Sequence, residues 1–191
     1  MEQTVSLKKH HGIRFLEIIF LICFFLGIIA ANLYGRGKLE QYGIINSYFI
    51  QQLKYVSVSK SDFLVYIISI RLPGMLLLLV LGMTSLYKAV HGVFLSWAGF
   101  SLGFLCVAAI SNLGIAAVLL LLGFLFPHCL FYGASYLMTV RMQWKYHEAY
   151  TKRRIVEWGV LWSIILLLLL IGMITEAYIN PLFYPALLKK F

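Results

Sequence analysis

With 62% hydrophobic and only 12% charged residues over 191 positions, the chain lies far from the roughly 45–50% apolar and 25% charged composition of soluble domains. Sixteen Lys and Arg against seven Asp and Glu give a net charge of +9, but the basic residues stand in short segments beside apolar runs. That placement excludes a nucleic-acid-binding face and reads as topology information and attraction to anionic membrane lipid.

The first predicted element follows Lys8, Lys9, His10, His11 and Arg14. Its uncharged run, Ile18–Tyr34, is longer than a secretory leader's apolar region and lacks a small-residue exit, so it is read as an uncleaved span over 15–34. Glu17 is placed to pair locally with Arg14, and Gly27 and Ala31 form a small-x-x-x-small pair. In the segment 35–62, Ile45, Tyr48, Phe49 and Leu53 recur at helical spacing. This predicts an amphipathic helix on the outer leaflet or, as the alternative, a loop covering helix ends. Tyr48, Phe49 and Tyr55 are the candidate partner-docking residues there.

A second span is expected over 67–87, interrupted by Arg71 and Pro73. Phe63–Ser69 lying along the interface, with Leu72–Tyr87 crossing as a short helix, is the other reading. From Ala89 to Val140 the chain then runs 52 residues without Asp, Glu, Lys or Arg, more than twice the ~20 needed for one crossing. Two spans, 89–111 and 113–140, joined by a tight turn, are predicted.

Gly92, Ser96, Gly99 and Gly103 share one face of the third span. They permit close packing against a neighbouring helix of the same chain or along a homo-oligomer seam. The fourth span carries Pro127, which removes a backbone donor and predicts a kink or break. His128 beside it suits a bond to the carbonyl so freed or to a neighbouring helix, or else a place on a proton or solute pathway.

Five basic residues lie between Arg141 and Arg154. In the same stretch His147-Glu148 begins a zinc-protease motif, but Thr151 occupies the position of its second His, so that site cannot form. The fifth span, 158–179, contains Glu176. Counting Lys and Arg in the connecting segments puts nine on one side and six on the other, which predicts a cytoplasmic N-terminus and an outside C-terminus. Arg71 and Glu176 then fall in one leaflet. Either they pair, with Gly172 leaving room for a neighbour, or each snorkels separately. The three cysteines, Cys23, Cys106 and Cys129, all lie in apolar runs and provide no disulfide framework or metal site. No Gly-rich phosphate loop, aspartate pair or nucleophile elbow is present. The expectation is an all-α, polytopic helical integral membrane protein of about five spans, one membrane domain over residues 1–191, with no enzymatic role, cofactor or metal.

The segment Gly92-Val-Phe-Leu-Ser-Trp-Ala-Gly-Phe-Ser-Leu-Gly103, the later Leu125-Phe126-Pro127-His128, and Ile174-Thr175-Glu176-Ala177-Tyr178-Ile179-Asn180-Pro181 together resemble the stage II sporulation protein M family. The likeness spans nearly the whole chain, and Pro127, His128 and Glu176 are its motif positions, with Gly99 and Gly103 as packing positions. Where many members carry a Glu after the Pro-His, this chain has Tyr132, which moves it toward the sporulation branch. The resemblance implies a non-enzymatic scaffold in the sporulation septum or engulfing membrane, holding the peptidoglycan-degrading stage II sporulation proteins D and P. A rival expectation from another class is a transporter or channel component using the broken fourth helix, His128 and Glu176.

Overall fold

The structure is a computed structural model that describes residues 2–34, 59–115, 117–148 and 155–188, with side chains described over 14–34, 59–115, 117–145, 147 and 157–184. Helices account for almost all of it: α1 (Glu2–Tyr34), α2 (Lys60–Leu81), α3 (Tyr87–Leu113), α4 (Ala117–Leu125), α5 (His128–Glu148), α6 (Ile155–Ile174), a π-helical turn (Thr175–Ile179) and α7 (Asn180–Leu188). Four helices are long and apolar enough to cross a membrane, and a fifth such element is the bent pair α4 and α5. Tyr48, Phe49 and Tyr55 lie outside the described residues.

Several boundaries differ from the sequence expectation. The second helix begins at Lys60 and closes at Leu81, rather than running over 67–87, with Phe63–Ser69 part of the same helix. Pro73 is accommodated in mid-helix. The end is set by Gly82, whose N–H bonds the Leu78 carbonyl at 3.0 Å, and by the Met83-to-Val80 and Thr84-to-Leu81 bonds that follow, each reaching back three residues instead of four. These tighten the last turn and use carbonyls that a helix end otherwise leaves open. The third helix closes at Gly114, where φ is +70° and the N–H reaches the Ile110 carbonyl at 2.9 Å. That left-handed cap favours glycine.

The fourth predicted span is broken rather than kinked. Leu125 ends α4, His128 starts α5, and the two axes bend by 59°. The Phe126–Pro127 peptide bond at the break is cis. The last span does not stop at Ile179, because the π turn hands over to α7, whose second residue is Pro181.

The chain divides into two compact units, Met1–Phe49 with Lys88–Val118, and Ile50–Tyr87 with Leu119–Phe191. In the first, α1 and α3 run in the same direction, as the ascending neighbours Phe20 with Gly99 and Phe24 with Gly103 require. A Cβ built on Gly99 would lie 2.5 Å from the Phe20 carbonyl oxygen. One at Gly103 would overlap the Phe24 carbonyl, and one at Gly27 the Phe100 carbonyl. The two backbones therefore touch at glycine, flanked by the stacked rings of Phe20 and Phe24 on one helix and Phe100 and Phe104 on the other.

In the second unit, α6 runs antiparallel to α2 and α5. Ile67, Leu169, Met173 and Ala177 form one buried cluster, with Leu79, Met142 and Ile165 forming another nearer the opposite end. Outward faces are apolar on every long helix, as at Ile22, Val80, Trp97, Leu137 and Leu167.

Candidate functional site

Two groups of polar side chains join helices of the second unit at two levels. The first centres on Glu176, held in the π turn after α6. A π turn inserts an extra residue into the helical repeat and often marks functional positions. Here it directs Glu176 toward α2 and α5. Arg71, in the middle of α2, donates from Nη2 to Oε1 at 2.9 Å and from Nε to Oε2 at 3.3 Å. Tyr132, one turn into α5, donates its hydroxyl to Oε2 at 2.6 Å.

The carboxylate therefore accepts three hydrogen bonds, two of them from a guanidinium fork, the strong form of such a pair. The arginine lies 5.5 Å from the centre of the Tyr132 ring. Glu176 is largely buried, 14% exposed, while Arg71 remains 47% exposed. Gly172, one turn earlier on α6, faces Tyr132 so closely that a Cβ there would lie 2.6 Å from Cε1. The room the sequence reading assigned to an unspecified neighbour is filled by this tyrosine.

The second group at this level sits on the break. His128, the buried first residue of α5, packs edge-on against Tyr132 with ring centres 5.4 Å apart. Its Nδ1 lies 2.5 Å from Nδ2 of Asn180, the fully buried first residue of α7. The same Nδ2 donates to the Phe124 carbonyl near the end of α4, at 2.7 Å. A break within a helix leaves carbonyls to be satisfied from elsewhere, and here the donor is Asn180, with His128 bonded to the same amide.

At the other level, Gln143 of α5 donates Nε2 to the Leu78 and Leu79 carbonyls at 3.3 and 3.1 Å. His147 Nε2 lies 3.3 Å from the Gly82 carbonyl and stacks on Tyr87 at 4.1 Å between ring centres. Trp144 meets Tyr87 edge to face at 4.9 Å. The α2 terminus is thus capped by side chains from α5.

Of the residues singled out in the sequence, the structure brings Arg71, Glu176 and His128 into one neighbourhood, with Pro127 forming its hinge. Gly99 and Gly103 are buried on the face of α3 that receives α1, so the homo-oligomer alternative loses that face. Gly92 has only Ile19 Cδ1 nearby, at 4.0 Å, and Ser96 is half-buried. Glu17 is exposed. Sequence reasoning missed Asn180 and Gln143 as ties and saw Tyr132 only as a departure from a motif. The available signal was a carboxamide or phenol in an otherwise apolar helix, which in hydrocarbon needs a partner.

Chemically, a carboxylate with three donors already on it has little capacity left to act as a base. Among the described residues no three His, Cys, Asp or Glu side chains converge as metal ligands. In comparisons with protein-family models, curated proteins and solved structures, nothing matches this chain.

Proposed function

We propose that the chain is a polytopic membrane protein that acts without catalysis as a scaffold, anchoring peptidoglycan-degrading proteins at the sporulation septum and the engulfing membrane. The partners expected from the resemblance to the stage II sporulation protein M family are the stage II sporulation proteins D and P. Five crossings put the N-terminus in the cytoplasm and the C-terminus outside. The parallel run of α1 and α3 and the antiparallel run of α6 against α2 and α5 suit that alternation, and the apolar outward faces suit a hydrocarbon surrounding.

One observation carries the scaffold reading: the residues behind the family resemblance are used to lock helices together. Gly99 and Gly103 let α1 reach α3, Glu176 is saturated by Arg71 and Tyr132, and Asn180 ties α7 to both sides of the break. Residues so committed join helices within each unit, which suits a platform for other proteins. With the small-residue face of α3 filled by α1, docking falls to segment 35–62 and the outer helix ends.

Deletion of the gene, with membrane-dye microscopy of cells induced to sporulate, tests the proposal. Arrest with a flat or bulging septum is expected, and normal engulfment overturns it. A transport role is the second reading, favoured by the discontinuous fourth helix with a buried histidine at its break, an arrangement that transporters use at their binding sites. Loss of a proton or solute flux in His128→Ala, with complex assembly intact, selects it.

A further inference from the structure

The Asn180 amide has a hydrogen inventory with a consequence for the break. Nδ2 carries two hydrogens and lies within bonding distance of the Phe124 carbonyl, which can only accept, and of His128 Nδ1. Since the carbonyl fixes that corner of the amide as the donor, Nδ1 must present a lone pair, and the ring is neutral with its proton on Nε2. The other end of the amide, Oδ1, is buried, and the Tyr184 side chain of α7 also lies against this amide.

Protonating His128 reverses the logic. An N–H on Nδ1 would oppose the N–H of Asn180, and the contact becomes a bond again only if the amide turns over and offers Oδ1. The turned amide then sets Oδ1 against the Phe124 oxygen, and two acceptors cannot share that contact.

We propose that His128, Asn180 and the Phe124 carbonyl form a proton-operated latch on the broken helix: closed with His128 neutral, and opened by protonation, which turns the Asn180 amide and releases the end of α4. The groups facing this site are Arg71 of α2, Tyr132 of α5, Glu176 of the π turn and Tyr184 of α7. Arg71 and Glu176 neutralise one another, so neither sign of charge overrides the imidazole. The latch stands independently of the scaffold reading, since either a platform or a transporter can use a hinge with two settings.

The test uses the full chain in lipid nanodiscs, with Cys23, Cys106 and Cys129 replaced by alanine and spin labels at the outward-facing Leu119 of α4 and Leu137 of α5. Pulsed electron-electron distances are recorded across roughly pH 5–8, the range in which histidines titrate. Histidine nitrogen shifts of the unlabelled wild type, assigned against His128→Gln, report the tautomer. The expected results are a proton on Nε2 at high pH, a second distance population that grows as His128 becomes doubly protonated, and loss of that population's pH dependence in His128→Gln. Asn180→Asp, which offers only acceptors, should show the second population throughout. The proposal is overturned if Nδ1 holds the proton of the neutral ring, if His128 does not titrate in this range, or if it titrates while the distance stays single. It is equally overturned if the pH dependence survives in His128→Gln.

Discussion

The two units hold their helices together by opposite means. Between α1 and α3 the contact is backbone on backbone at Gly27, Gly99 and Gly103, with phenylalanine rings beside it. In the other unit α2, α5, α6 and α7 are joined through side chains that reach across: Arg71 and Tyr132 to Glu176, Asn180 to Phe124, Gln143 to the end of α2. In the membrane setting proposed above, hydrocarbon would provide no hydrophobic drive for helices to associate, leaving close van der Waals contact and hydrogen bonds as the means. Glycine contact tolerates no added atom, whereas a polar network tolerates conservative change but no orphaned partner.

Substitutions sort along that contrast. The largest effect is expected for Gly103→Leu, where the new side chain meets a carbonyl on a rigid helix. Overpacking of this kind costs about 1–3 kcal/mol and at times more, and a backbone carbonyl as the obstacle puts this variant at the upper end, read as a lowered midpoint in thermal unfolding of the purified chain in detergent. A silent Gly103→Leu would mean that the seam does not hold the unit. Next comes Glu176→Ala, which strands Arg71. A fully buried partner would cost about 3–5 kcal/mol, and because Arg71 is half exposed about 2 kcal/mol is expected. The double variant Arg71→Ala/Glu176→Ala should recover part of it, and a double-mutant cycle with no coupling would break the network picture.

Tyr132→Phe keeps the ring and drops one bond to a charged acceptor, so about 1 kcal/mol is expected from the same melts. Gly92→Ala is the smallest. On the same face of the same helix, but with nothing closer than 4.0 Å, it should be neutral or stabilising by up to about 1 kcal/mol, alanine being the better helix former. A large loss at Gly92 would show that the seam runs further along α3 than its closest contacts do.

What the chain discloses before folding is uneven for physical reasons. Long apolar runs and a proline in the fourth of them are local signals, and α1, α3, α6 and the break near Pro127 follow from them. Arg71 and Glu176 stood out because ionisable residues in such runs are rare, but whether they pair or snorkel separately was decided only by the fold. The start of α2 was hidden by its polar first turn, Lys60-Ser-Asp62, which looks like loop until the helix is seen to continue. Asn180 was read only as part of a motif, since a lone carboxamide before a proline is also an ordinary helix stop. Its role depends on Phe124, 56 residues away, and on a break whose geometry no periodicity encodes. Gln143 likewise answers to carbonyls 64 and 65 positions earlier.

The pairing of Arg71 with Glu176 also sets an order of events during synthesis. The two residues are 105 positions apart, and at roughly 5–20 residues per second the ribosome delivers the glutamate roughly 5–20 s after the arginine. In the membrane setting proposed above, α2 waits through that interval with a cation and no counter-ion, so its seat in the bilayer is provisional until the last helix arrives. A nascent chain released just before Glu176 should leave α2 poorly inserted, while one carrying a few residues more should not. The C-terminal helix then acts as the closing step of assembly, converting a reluctant second helix into a settled one.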